Sequence, residues 1–259
     1  MTMVSSGTIA LAGTGTSGGL NQSIQVEIGG GGSSQISMND SGVRTLTGVS
    51  SGQISMSDAY GKSNFTPHSD PFTSGSGTVT IPAGCTSVTI QVQGGGGGGG
   101  ASNGFNSGTG YYRVGGGGGG SGFGQSTYTV TSADWGHTLN YLVGGGGSTN
   151  SGGAYSQADG TLASPGSFVI QVTGGAPGIQ ALSGGGGGSG GASSGGNQAN
   201  NTGTSGSAGG GTGQGFQGMG GACASGGTSP YGNGANGADP SSGSGPFTAN
   251  GGYIKFSWN

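Results

Sequence analysis

Residues 78–100 read TVTIPAGCTSVTIQVQGGGGGGG, and the fold turns on how the two halves of this stretch belong together. In the first half, Val88, Ile90 and Val92 stand at every second position between polar residues, the pattern of a strand with one buried face. The second half is seven consecutive glycines, which bring no side chain to any core. Ordering one residue's backbone costs roughly 1–2 kcal/mol, and glycine loses the most freedom. Such a run is either a flexible linker or extended backbone laid against other extended backbone. In the second case N–H and C=O groups bond between neighbouring segments, because a polyproline-II-like helix makes no bonds within itself. Further runs stand at 115–120, 144–147 and 184–188, each beside a strand-like segment or a short polar loop. A linker joins two domains once. Runs that alternate with strands point to ordered packing.

Composition sets the bounds. Of 259 residues 74 are glycine and only 28% are hydrophobic, far below an ordinary globular domain. Charged residues are 4%, so self-repulsion does not expand the chain, and the apolar residues gather in short alternating runs. There is no G-X-Y period, which excludes collagen. With net charge −3 and only Arg44, Lys62, Arg113 and Lys255 as cations, no basic patch can form, so nucleic-acid binding lacks its main energetic term. No apolar run reaches the ~20 residues of a membrane helix, and no signal-peptide pattern opens the chain, so membrane insertion is not expected. Cys85 and Cys223 are read as two free thiols of a cytosol-made protein.

Residues 1–63 carry an internal repeat: 35–40 read QISMND and 53–58 read QISMSD. Ser37 and Ser55 each stand three residues before an aspartate, Asp40 and Asp58, at capping-box spacing. Each unit is expected to be an extended segment followed by one or two helical turns, with Val43 and Leu46 on one face. So little apolar surface per unit suggests a module that docks onto something else. These stretches (36–40, 43–49 and 51–63, the last reading SGQISMSDAYGKS) resemble the N-terminal segments of tailed-bacteriophage structural proteins. The resemblance implies a virion component, with Ile36, Met38, Val43, Leu46, Ile54, Met56 and Tyr60 as candidates for attachment to other virion proteins.

Residues 64–77 read as a linker, because Pro67 and Pro71 disfavour helix and Ser and Gly fill the rest. Strands are expected at 78–81, 87–93, 126–130, 138–143, 167–173 and 252–258. The order of these strand flanks and glycine runs resembles a glycine-rich domain of phage tail fibres and tail proteins, also found in some animal receptor kinases. A looser relative is the adhesin family that caps T-even tail fibres. The resemblance implies a mainly β chain: a small β-sandwich over 78–259 with inserted polyglycine-II helices, preceded by the short-helix repeat module.

Catalytic chemistry is not legible. GxGxxG arises by chance throughout the glycine runs, and the GKS at 61–63 lacks the upstream glycine of a phosphate loop, having Met56 there. His68 and His137 are isolated, and the seven carboxylates do not cluster at metal-ligand spacing. No enzyme, cofactor or metal is expected. The better candidates are aromatic residues in the polar loops: Phe105, Tyr111, Tyr112, Tyr155, Phe216 and Tyr231. Tyrosine among Ser, Gly and Asn gives large contact area at low entropy cost. The competing reading is that they plug the ends of the bundle.

The expectation is a phage virion protein of the tail fibre or baseplate periphery, made in the host cytoplasm. It would be anchored by residues 1–63, assembled as a homo-oligomer such as a trimer, and directed at a host-surface glycan or outer-membrane protein. The alternatives are a joining or decoration protein without a receptor and an ice-binding polyglycine-II bundle.

Overall fold

The alternation at 87–93 is realised as a central strand, and the glycines that follow it leave the sheet as a separate structure. The computed structural model describes residues 3, 16–17, 20–21, 24–28, 36–62, 64–101, 114–181, 186–205, 231–235 and 248–259. The N-terminal part holds β1 (Thr16–Ser17), β2 (Leu20–Asn21), α1 (Ile24–Glu27), α2 (Ser41–Thr47) and a 3-10 helix (Met56–Ala59). The remaining strands are β3 (His68–Phe72), β4 (Gly75–Thr80), β5 (Ser87–Gln93), β6 (Val114–Gly115), β7 (Phe123–Thr129) and β8 (Thr138–Val143). They continue with β9 (Ser156–Thr161), β10 (Ser167–Val172), β11 (Gln180–Ala181), β12 (Ser193–Ser194), β13 (Ala199–Asn201) and β14 (Tyr253–Trp258).

Two five-stranded sheets, β12-β10-β9-β8-β4 and β13-β7-β5-β14-β3, form a sandwich whose pairings are all antiparallel. Val79, Leu139, Ala158, Ile170 and Val172 from the first sheet close on Val88, Ile90, Val92, Ile254 and Phe256 from the second. Tyr128 packs on Phe168 at 4.5 Å between ring centroids, and Phe72 stacks on Tyr141 at 3.9 Å. The outward positions are polar and pair across strands, as Thr89 does with Thr127 at 2.8 Å and Gln91 with Gln125 at 2.8 Å.

The linker expected at 64–77 is corrected. His68–Phe72 pairs along β14, and Gly75–Thr80 pairs along β8. Pro71 does not prevent this because β3 is an edge strand, where an outward position needs no N–H. The sandwich therefore begins near residue 68 rather than 78.

The end of the sandwich away from the glycine runs is closed by its turns and by the last residue. Thr86 and Ser87 N–H groups donate to the Asn259 carbonyl at 2.5 and 3.0 Å. Asp134, almost wholly buried, accepts from the Thr131 N–H at 2.8 Å, its hydroxyl at 2.7 Å and the Ala163 N–H at 2.5 Å, tying the β7–β8 turn to the β9–β10 turn. Burial alone would raise this carboxyl; the bonds from Ala163 and Thr131, with His137 nearby, bring it below its ordinary value.

At the opposite end the glycine segments form a bundle held by backbone hydrogen bonds. Gly95 and Gly98 N–H groups donate to Ala154 and Ser151 carbonyls at 3.0 and 2.9 Å, three residues apart on one neighbouring segment. Gly97 and Gly100 donate to Gly119 and Gly116 at 2.8 Å each, again three apart on another. Every third residue reads the same neighbour, the signature of a helix with three residues per turn. None of residues 94–100 or 115–122 has a positive φ, so backbone conformation does not call for glycine there; at positions such as 94–98, 118 and 119 space does. A Cβ on Gly97 would be driven into the Ala176 carbonyl, on Gly98 into that of Ser148, and on Gly96 into that of Asn233.

The N-terminal part has a second, small core of Met3, Ile24, Val43, Leu46 and Ala59. The two related stretches make matching bonds. Ser37 N–H donates to Asp40 Oδ2 and Ser55 N–H to Asp58 Oδ2, both at 2.8 Å. Ser37 Oγ accepts from Asn39 N–H and Ser55 Oγ from Ser57 N–H, both at 3.1 Å. The second is the capping box of the 3-10 helix, as its spacing implied. The first forms a turn ahead of α2, whose N-cap Asp40 makes no side-chain cap bond. Arg44 joins the two stretches, donating to Asn39 Oδ1 and, at 3.1 Å each, to the carbonyls of Val49 and Gly52.

Candidate functional site

The chain gives the molecule two distinct ends. β3 enters the sandwich at His68, opposite Trp258 and away from the bundle, while Phe72 pairs with Ile254 on the bundle side. The glycine segments continue from the bundle-side ends of β5, β8, β10 and β13 and return into β7, β9, β12 and β14. The far end of the bundle is therefore where the chain reaches Ala101, turns at 147–151 and reaches Ile179. Asn150 adopts φ 56° in that turn, a conformation asparagine tolerates better than most residues. Its Oδ1 accepts from the Ala101 N–H at 2.8 Å, and Gly116 N–H donates to the Ile179 carbonyl at 3.0 Å. Ile179 is 62% exposed there, an aliphatic side chain that glycine-dominated surroundings leave uncovered.

Of the aromatic candidates, Phe105, Tyr111, Tyr112 and Phe216 lie outside the described residues. Ala101 and Val114, the described residues that flank the first three in sequence, both lie at the far end of the bundle. Tyr155 and Tyr231 instead lie at its base, against the sandwich. Tyr155 immediately precedes β9 and is 46% exposed. Tyr231 is half-buried and stacks on Tyr253 at 4.9 Å, while its carbonyl accepts from Gln93 Nε2. Burial, and then the neighbouring Tyr231, raise the Tyr253 hydroxyl above its ordinary value. The structure thus brings Tyr231 to Tyr253, not to Tyr155. Sequence reading missed Tyr253 because it sits among strand residues, and only the register with Gln93 brings it to the junction.

The attachment candidates are divided between core and surface. Val43 and Leu46 are buried in the small N-terminal core, and Ile36, Met38, Ile54 and Met56 pack partly buried around it. Tyr60 is half-buried at the end of the 3-10 helix. A partner would meet the half-exposed set, since the module spends Val43 and Leu46 on itself.

Two open clefts mark the closed end of the sandwich. One, of about 450 Å³, is lined by His68, Ile81, Pro82, Ser132 and Trp135. The other, of about 410 Å³, is lined by His137, Thr138, Asn140, Gly160 and Thr161. The Trp135 Nε1–H is committed to the Cys85 carbonyl at 3.0 Å. Cys85 is buried, its thiol donating to the Pro82 carbonyl at 3.0 Å, and burial pushes its pKa to about 11. Such a thiol is no nucleophile at neutral pH. Cys223 lies outside the described residues. Among the described residues no three His, Cys, Asp or Glu are placed to hold a metal ion, and no helix is long and apolar enough to cross a membrane.

A family profile described as a glycine-rich domain matches residues 71–257, spanning both sheets and the bundle between their ends. The chain belongs to this glycine-rich domain family. The match starts inside β3, in keeping with a domain that opens before residue 78. No curated protein matches the sequence.

Proposed function

We propose that this glycine-rich domain protein is a structural component of a tailed-bacteriophage virion, in the tail fibre or at the baseplate periphery. In this reading the N-terminal module anchors it to other virion proteins, and the bundle is held outward toward a host-surface glycan or outer-membrane protein. Its polarity carries the reading: the N-terminal module joins one end of the sandwich, and the glycine segments project from the other. The phage-like repeats at 35–58 add support from sequence. The role is binding without catalysis or cofactor, within the virion. A glycine surface offers few side chains for recognition, so contact falls to the residues that interrupt the runs. With only four cations, attachment depends little on long-range electrostatics.

The test is alanine substitution of Tyr111, Tyr112, Tyr155 and Tyr231 together, followed by phage adsorption to host cells. Adsorption falls while particles assemble normally, and raised salt changes it little. Unchanged adsorption would transfer the protein to the joining or decoration role.

A further inference from the structure

A sandwich has four edges, and three of these are protected. β12 and β13 are two and three residues long, and β3 carries Asp70 and Pro71. Short strands, charge and proline are the usual means of blocking unwanted strand addition. β4 has none of them. It is six residues, GSGTVT, with neither charge nor proline, and all but Val79 are exposed.

Among the described residues only β8 pairs with it, and its outward hydrogen-bonding groups follow from that register. Ile81 N–H donates to the His137 carbonyl at 2.8 Å, and Gly136 N–H donates to Ile81 at 3.0 Å. Backbone groups alternate in direction along an antiparallel strand. Gly75, Gly77 and Val79 therefore face β8 as Ile81 does, and Ser76, Thr78 and Thr80 turn their N–H and C=O groups outward. These are three donors and three acceptors along an uncharged edge.

We infer that β4 is a self-association edge, joining a second copy of this chain by antiparallel β4–β4 pairing about a two-fold axis at Thr78. This goes beyond the proposed function and does not depend on it. In that register Thr78 meets its own copy, and Ser76 meets Thr80 of the second copy. Each outward residue exchanges both backbone bonds, and the two sheets become one ten-stranded sheet. The side chains fit: hydroxyls already pair across strands at Thr89–Thr127 and Thr161–Ser167 on the outer faces of this sandwich. No like charges face one another across the axis. A single six-residue edge gives less than the ~1,200 Å² of a stable standard interface, so the dimer is weak and concentration-dependent.

The test uses the full chain with Cys223→Ser. Sedimentation shows a monomer that dimerises as concentration rises. Thr78→Cys forms an intermolecular disulfide under mild oxidation, since directly opposed residues lie within bridging distance. Thr80→Cys alone does not, being ~13 Å from its own copy, but mixing it with Ser76→Cys yields the mixed dimer. Thr78→Pro removes only an outward N–H, and dimerisation is lost at unchanged secondary structure. A wild type that stays monomeric at its highest soluble concentration overturns the inference. So does Thr78→Cys cross-linking no better than the exposed control Val169→Cys. If Thr78→Pro fails to fold, the cysteine pattern still decides.

Discussion

The sandwich and the bundle are built from one chain by opposite means. In the sandwich, side chains such as Ile90, Phe256 and Trp258 are fully buried, and hydrophobic burial stabilises the fold. In the bundle, residues 94–100 are as buried as any core residue yet have no side chains, and order rests on backbone bonds such as Gly97 to Gly119. Each such bond contributes about 0.5–1.5 kcal/mol net, against a large entropy cost for glycine. A core of side chains loses stability when a methyl group is removed. A core of backbone loses it when one is added.

That contrast can be broken most directly from the sandwich side. Phe256→Ala should cost about 3–5 kcal/mol in chemical denaturation, because it opens a cavity between the sheets. A loss below 1 kcal/mol would mean that the sandwich core tolerates missing volume. Gly97→Ala tests the bundle by adding one methyl against the Ala176 carbonyl, where the neighbour is backbone and cannot rotate away. The expected loss is about 1–3 kcal/mol, with hydrogen exchange quickening across 94–100 before the sheets. Gly145→Ala is the matched control: a Cβ there meets nothing within 4 Å, so stability should change by less than about 1 kcal/mol. Equal losses at 97 and 145 would refute the space argument.

The closed end offers a subtler probe. Asp134 has a folded pKa below its ordinary 3.8, so its stabilisation is full above that value and is lost as pH falls through the lower folded one. Asp134→Asn should cost about 1–2 kcal/mol at pH 7 and flatten the stability profile below pH 4. An unchanged acid limb would show that other carboxylates govern it. The smallest effect concerns Cys85, which should resist alkylation at pH 8 in the native state and react only on unfolding.

The strands richest in alternating apolar residues were legible: 87–93 and 138–143 have the bounds their pattern implied. β9 was not, since SQADGT offers only Ala158 as an inward apolar residue, and cross-strand pairing with β8 and β10 supplies the rest. β3 was hidden by Pro71, whose meaning changes with its place in a sheet. At the candidate site, loop aromatics could be named from sequence, but their surroundings could not. Tyr155 and Tyr231 read alike in the chain, yet one is exposed and the other stacked on Tyr253.

Residue order alone shows that strands and glycine runs alternate, that the runs cannot contribute side chains, and that few charges are available for recognition. Those are properties of residue type and order, visible wherever the chain is read. Which end of the sandwich carries the bundle, which carbonyl each glycine faces, and which edge strand is left unprotected emerge only from the folded arrangement. Each of these depends on contacts between residues far apart in sequence: Gly97 needs room because Ala176 lies beside it. A backbone hydrogen bond carries no side-chain signature, so the bundle's pairing could be known only once its neighbours were in place.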